Sequence, residues 1–291
     1  MPLVALVLKG LRTTCVERLK GAIEELLPIL KDDGSTLDVI LTEQIKYSED
    51  LDYILGHLYS SIREILLSGN LYETPVNVLF NQDARWLKKH MWDLIVVDTA
   101  LHPLILDYNF KKVKTVDLAK PNIDSDTEVK HEKNDEEHYT VSALGGTFDH
   151  LHDGHKILLS VATFLTSQRL IIGVTDQELL QNKKFPEFLE SFEMRAKNVT
   201  GFVNRVKPTL RVEVVPLRDV CGPTGAVPEI ESLIVSRETE SGGRFVNAVR
   251  KEKGLTTLAV HVVNVLGGQE EDGWKEKLSS TELRKRKITY K

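Results

Sequence analysis

Two histidines three residues apart, His152 and His155, stand just behind a glycine pair, Gly145-Gly146, and a Thr147-Phe148-Asp149 run. Upstream, Tyr139 to Leu144 reads as a buried strand, and downstream Lys156 to Leu165 reads as an amphipathic helix. The stretch is therefore expected to be a glycine-rich strand-to-helix turn with both histidines at the helix entrance. Amide groups at a helix start lack intrahelical partners and carry partial positive charge, so such a turn suits a phosphate. Gly145, Gly146 and, between the histidines, Gly154 allow close approach of backbone to a ligand. Residues three apart share one helix face, so the two imidazoles would act on the same group. A second stretch, Leu278-Ser279-Ser280-Thr281-Glu282-Leu283-Arg284, places hydroxyls at another helix start with a cation one turn on, again suited to phosphates. No covalent nucleophile is evident. The histidine pair has no third ligand at a useful spacing, so no protein-held metal is expected.

From His138 onward the chain alternates strand and helix. Strands are expected at 169–174, 210–217, 232–236 and 258–266, and helices at 191–206, 242–253 and from 278. This rhythm predicts an α/β fold with an open, doubly wound parallel sheet, whose ligands bind beyond the C-terminal strand ends. The residues of chemical interest all fall at such ends. The preceding part has its own α/β pattern, with strands at 4–8, 37–41, 76–80 and 94–97 and helical spacing over 14–30 and 51–67. It carries no chemical constellation; His90 and His102 are isolated. Between the two, residues 121–137 are acidic and nearly devoid of apolar side chains, as in a solvated linker. The expected organisation is a smaller N-terminal α/β domain over 1–120, an acidic linker over 121–137 and a ligand-binding domain over 138–291.

Length and composition agree with two soluble domains in 291 residues. The formal net charge of −5 gives no whole-chain footprint of a nucleic-acid binder. No apolar run approaches the ~20 residues of a membrane span. Cys15 and Cys221 are lone thiols, and no signal peptide is recognised. A reducing compartment is expected, the cytoplasm, with the nucleus left open.

The Gly145-Gly-Thr-Phe-Asp149 run followed by His152-Asp-Gly-His155, together with the late Leu278-Ser-Ser-Thr-Glu-Leu-Arg284, resembles the (H/T)xGH nucleotidylyltransferase superfamily. The second motif has Leu where that superfamily's ISSTxxR motif has Ile. Within it, the chain is most similar to the eukaryotic phosphopantetheine adenylyltransferases, as in the adenylyltransferase domain of CoA synthase. The matching stretches include Ile172 to Leu180, Lys183 with Pro186-Glu187, Val214 to Leu217, Gly222-Pro-Thr-Gly225 and Val235 to Gly243. The resemblance covers roughly Tyr139 to Arg286 and leaves residues 1–120 unexplained.

The resemblance implies a Rossmann-like nucleotidylyltransferase fold and transfer of AMP from ATP to 4′-phosphopantetheine, giving dephospho-CoA and pyrophosphate in coenzyme A biosynthesis. It implies that Mg²⁺ arrives on the ATP phosphates, and that dephospho-CoA or CoA is held as product. His155 would stabilise the α-phosphate in the transition state, by hydrogen bonding or as a cation. His152 would touch ATP phosphates, and Lys183, with Lys184 as the neighbouring alternative, the acceptor phosphate. Gly145, Gly146, Thr147, Phe148 and Gly154 would surround the phosphates. Ser236, Arg237, Glu238 and Thr239 would bind nucleotide, with Arg244 an alternative phosphate contact. Eukaryotic relatives often carry Glu at the position of Arg237, which leaves its role open. Ser279, Ser280, Thr281 and Arg284 would hold the β- and γ-phosphates. Asp149 has a second reading as a turn cap, and Arg195 as an ion-pair partner. No GxxxxGK(S/T) loop is present, so a monofunctional enzyme is expected. Residues 1–120 are expected to dock other enzymes of the pathway. The alternatives are a cytidylyltransferase-type member of the superfamily and a non-catalytic adenine-nucleotide-binding scaffold.

Overall fold

The structure, a computed structural model, describes residues 2–120, 134–181, 183–264 and 278–289. Most of the acidic linker, Leu266 and Trp274 lie outside the described residues. The chain divides into two compact units: Met1–Lys46 with His57–Asn134, and Tyr47–Gly56 with Asp135–Lys291. No helix among the described residues is long and apolar enough to cross a membrane.

The first unit is a five-stranded parallel sheet of β1 (Leu3–Leu8), β2 (Thr36–Leu41), β3 (Val76–Leu79), β4 (Met91–Asp98) and β5 (Asn109–Val116). Its spatial order is β3-β2-β1-β4-β5. Its helices are α1 (Val16–Glu24), the short α2 (Leu27–Leu30) and α4 (Ala84–Lys89), with α3 (Ser48–Ser68) from His57 onward; the residues of α3 up to Gly56 belong to the second unit. The single helix expected over 14–30 is broken at Glu25-Leu26, just ahead of Pro28, which stands at the start of α2 where its missing N–H costs nothing. β1 is buried almost throughout, as a central strand covered on both faces must be. Strand β5 reads Asn-Phe-Lys-Lys-Val-Lys-Thr-Val and is mostly exposed. It is an edge strand whose lysines discourage pairing with other chains, and its polarity hid it from a search for apolar runs.

In a sheet ordered this way, the crevice between β1 and β4 is where a ligand would enter. Here the chain itself covers it. The Leu118 carbonyl accepts from Cys15 N at 2.7 Å, and Lys120 N donates to the Thr13 carbonyl at 3.1 Å. Thr14 and Ala119 form an antiparallel bridge. Leu118 N donates to Asp98 Oδ2 at 3.0 Å, and the Leu118 side chain is buried. The segment thus bridges the loop after β1 and the end of β4.

The second unit repeats the topology. β6 (Tyr139–Gly146), β7 (Thr166–Thr175), β8 (Arg211–Leu217), β9 (Ser232–Ser236) and β10 (Ala259–Val263) lie in the order β10-β9-β6-β7-β8, all parallel. Helices α5 (Asp153–Leu165), α6 (Phe192–Val206), α7 (Glu240–Glu252) and α8 (Ser280–Thr289) follow the expected pattern. Ser191 caps α6 by accepting from Met194 N at 3.2 Å. One core forms around Val141, Ala143, Ile171, Leu233, Val235 and Val246. The strand order reverses between β6 and β9, where Leu144 pairs with Ile234; two residues on, Gly146 and Ser236 end their strands level with one another. The doubly wound α/β fold expected from the sequence is the one observed.

The floor beside this switch point is set by Leu217. A Cβ on Gly173 would lie 2.5 Å from its side chain, and one on Gly145, the residue paired with Gly173, would lie 2.9 Å away. Both glycines are therefore required by packing against Leu217. Gly173→Ala is expected to destabilise the chain by ~1–3 kcal/mol through overpacking. Adding Leu217→Ala should recover part of that loss, and strictly additive effects in urea denaturation would count against the contact.

Candidate active site

The turn after β6 closes with Phe148 and His150 in the left-handed region, at φ 51° and 45°. Two such residues in a short loop are costly and persist only where surroundings fix them. The Phe148 ring is fully buried, and a Cβ on Gly146 would lie 3.1 Å from it. His150 is held through its amide, which donates to Glu190 Oε2 at 2.7 Å, and through Nε2, 2.9 Å from the Phe188 carbonyl. Thr147 contributes its carbonyl to Arg195 Nη1 at 2.8 Å. Phe148 therefore has only backbone to offer a ligand.

Helix α5 starts at Asp153, so His152 is its N-cap residue and His155 lies in the first turn. The His152 side chain makes no capping hydrogen bond. The two imidazole centroids are 3.8 Å apart, with 33° between planes, and Phe148 lies 5.3 Å from His155. The buried Nδ1 of His155 has no hydrogen-bond partner among the described residues, which is what a site awaiting a polar ligand shows. Burial, first, and then His152 and Lys183 hold the His155 pKa well below its ordinary 6.5. Burial thus disfavours the protonated form of His155.

Helix α8 brings the second motif to the same place. Ser279 Oγ accepts from Glu282 N at 3.3 Å, as an N-cap does. Ser280 Oγ donates to the Asp149 carbonyl at 2.7 Å. Thr281 Oγ1 accepts from Arg284 Nη2 at 3.2 Å. Arg284 does not extend towards open space. It is buried, its Nη1 pairs with Asp149 Oδ2, and its Nε donates to the Lys184 carbonyl at 2.9 Å. Three of its five N–H donors are thus taken by protein, which makes Arg284 a tie within the site, a role the sequence did not indicate. Asp149 is fully buried and also accepts from Glu190 N at 2.9 Å.

Lys183 and Lys184 are exposed, and Lys183 lies near enough to act on the charge of His155. Ser236, half-buried, and the exposed Arg237, Glu238 and Thr239 follow β9. Ser236 and Thr239 hydroxyls are 3.0 Å apart, and Arg237 donates to Asn264. Arg244 is exposed and pairs with Glu240 at 2.6 Å along α7. Two residues matter more than the sequence indicated. Arg195 is buried and donates to the carbonyls of Thr147, Thr175 and Glu190; the expectation was an ion pair. Arg250 does the same for Thr224, Val227 and Thr256 beside the Gly222–Gly225 turn. Nothing local in sequence announces a guanidinium that collects distant carbonyls.

A doubly wound sheet with an (H/T)xGH turn at its switch point and a hydroxyl-rich helix start against it defines a nucleotidylyltransferase. The cytidylyltransferase-like family model matches residues 143–286. A phosphopantetheine adenylyltransferase of Saccharomyces cerevisiae is 47% identical over 269 residues, covering 92% of this chain and 88% of that protein. Archaeal phosphopantetheine adenylyltransferases also match: that of Methanopyrus kandleri is 40% identical over 48% of this chain and 86% of its own length, and that of Pyrococcus abyssi 33% identical with the same coverages. The chain belongs to the phosphopantetheine adenylyltransferase family. The yeast alignment spans too much of the chain to be confined to the second unit, so the first unit also has a counterpart there.

The depressed pKa of His155 has a sign that can be checked. An unfolded histidine binds a proton near pH 6.5, and the folded site resists it. Below that pH the unfolded state holds more protons, so the stability associated with neutral His155 is complete above pH 6.5 and is lost as pH falls towards the folded pKa. His155→Gln should flatten this acid limb, read by urea denaturation at about pH 7 and about pH 5.5. An equally steep limb in the variant would show that His155 is not held neutral.

Proposed function

We propose that the chain transfers AMP from ATP to 4′-phosphopantetheine, giving dephospho-CoA and pyrophosphate. An oxygen of the acceptor phosphate attacks the α-phosphorus in line. The new P–O bond forms as the bond to the bridging β-oxygen breaks, and pyrophosphate leaves with that electron pair. The attacking group is already an anion near neutral pH, so the protein need not remove a proton. What it must supply is alignment and stabilisation of charge on the α-phosphate.

The observation that carries this reading is the junction of the two motifs, where Ser280 Oγ meets the Asp149 carbonyl at 2.7 Å. It supports a triphosphate lying between the start of α5 and the start of α8. His155 would donate to the α-phosphate as a neutral imidazole, with His152 beside it. Gly145, Gly146, Gly154 and the backbone of Thr147 and Phe148 would line the phosphates. Ser279 and Thr281 hydroxyls already accept from protein donors, which leaves their protons for phosphate oxygens. Ser236, Arg237, Glu238 and Thr239 would face the nucleoside. Lys183 would hold the acceptor phosphate, an exposed cation that can follow it. Mg²⁺ would enter on the ATP phosphates: among the described residues no three His, Cys, Asp or Glu side chains converge as ligands, and Asp149 is committed to Arg284. Dephospho-CoA or CoA would occupy the same site as product. For the first unit we favour docking of other enzymes of coenzyme A synthesis, in the cytoplasm.

Product analysis with ATP or CTP, and with 4′-phosphopantetheine or other phosphate acceptors, tests the reaction. Dephospho-CoA and pyrophosphate should form from ATP and 4′-phosphopantetheine, and His155→Ala should lower kcat by ~10²–10³-fold with the fold retained. Preference for CTP would favour the cytidylyltransferase alternative, and ATP binding without any turnover would favour a scaffold.

A further inference from the structure

Arg284 touches three elements with three different nitrogens. Nη1 pairs with Asp149 in the turn after β6, Nη2 donates to Thr281 Oγ1 at the start of its own helix, and Nε donates to the Lys184 carbonyl. The first two carry the groups placed around the ATP phosphates. The third belongs to the loop that carries Lys183. Around Lys183 that loop is held by local turns, Lys183 N to the Leu180 carbonyl at 3.1 Å and Phe188 N to the Phe185 carbonyl at 3.2 Å, while its far end is tied to the turn after β6 by His150 Nε2 at the Phe188 carbonyl and by Glu190 N on Asp149. Phe185 has φ 54°, a conformation that a non-glycine residue keeps only under outside constraint.

We infer that Arg284 is a positioning residue that sets the acceptor-phosphate lysine, Lys183, in register with the ATP-phosphate turn. This rests on the reaction proposed above. A planar guanidinium suits the task because its donors leave in fixed directions, so the Asp149 carboxylate and the Lys184 carbonyl are held at a set spacing. An alkyl ammonium beside Asp149 would keep the charge pair but not the fork. The consequence is specific. Losing the fork should loosen the acceptor side of the site more than the nucleotide side, whereas a purely structural role would weaken both alike.

Arg284→Lys and Arg284→Met separate these cases. Hydrogen exchange read by mass spectrometry should show faster exchange around Lys183 and Phe188 in both variants. The turn at Thr147–His150 should loosen only in Arg284→Met. In initial-rate kinetics, Arg284→Lys should raise KM for 4′-phosphopantetheine about tenfold while KM for ATP changes less than about twofold. In a Lys183→Ala background the same substitution should add no further rise, because it acts through that lysine. Equal rises in both KM values, additive effects with Lys183→Ala, or unchanged exchange around Lys183 would each overturn the inference. If Arg284→Met does not fold, Arg284→Lys carries the comparison. Wild-type protein that makes no dephospho-CoA would sink the proposed reaction instead, and the exchange of the Lys183 loop would then decide the tie alone.

Discussion

Asp149 and Arg284 are both buried, and each charge is tolerable there only because of the other. Removing one member of such a pair leaves an uncompensated charge and costs ~3–5 kcal/mol. The pair joins residues 135 positions apart, one just after the first strand of the second unit and one in the last helix described. It therefore makes the final helix part of the site. Arg195 and Arg250 extend the same principle without carboxylates. Loops beyond strand ends present carbonyls that no ladder satisfies, and a buried unsatisfied carbonyl is costly. A guanidinium with five donors can take several at once. Burial lowers the pKa of both arginines, yet both remain cations at any physiological pH. Loops beyond the strand ends of the second unit are thus tied by three buried guanidinium groups.

The two units show how little topology decides. Both sheets have the same strand order, counted from each unit's own first strand, with a reversal at the same place. In the second unit the crevice at that reversal is lined by histidines and helix starts. In the first it is closed by Leu118 to Lys120, hydrogen bonded to Thr13, Cys15 and Asp98. A fold that favours ligand binding at one point loses that capacity when its own chain satisfies the same backbone groups. This accounts physically for a sequence that alternates strand and helix over more than a hundred residues and offers no chemistry.

Elements built on apolar periodicity were legible in the sequence: β1, β7, β9, α3 and α6 fall where spacing places them, within a few residues. β5 was not, because an exposed edge strand has no apolar run to find. The two motifs were legible as helix starts rich in glycine, hydroxyls and histidine, since those residues have a local meaning there. Their junction was not. Ser280 and Asp149 are 131 residues apart, and spacing holds no record of a contact made by folding. Arg284 shows the limit most clearly: a base one turn into a helix that starts with hydroxyls reads as a phosphate contact, and nothing in the spacing shows its pairing with the buried Asp149. For Arg195 the acids near it in sequence suggested an ion pair, and its donors go to the carbonyls of Thr147, Thr175 and Glu190.

Two phosphates must meet in this site, each already anionic, so their repulsion has to be countered without trapping either. A histidine pair with centroids 3.8 Å apart would repel itself if both rings were charged. Holding His155 neutral avoids that and leaves a directional donor. Lys183 differs in kind: exposed and long, it is a fixed charge on a flexible stem. In the proposed reaction, neutral donors at the helix starts would define where the α-phosphate lies, and the exposed lysine would bring the acceptor to it. That division requires the lysine loop and the turn to keep their spacing: Arg195 ties Thr147 to Glu190, and Arg284 ties Asp149 to Lys184, next to Lys183 itself.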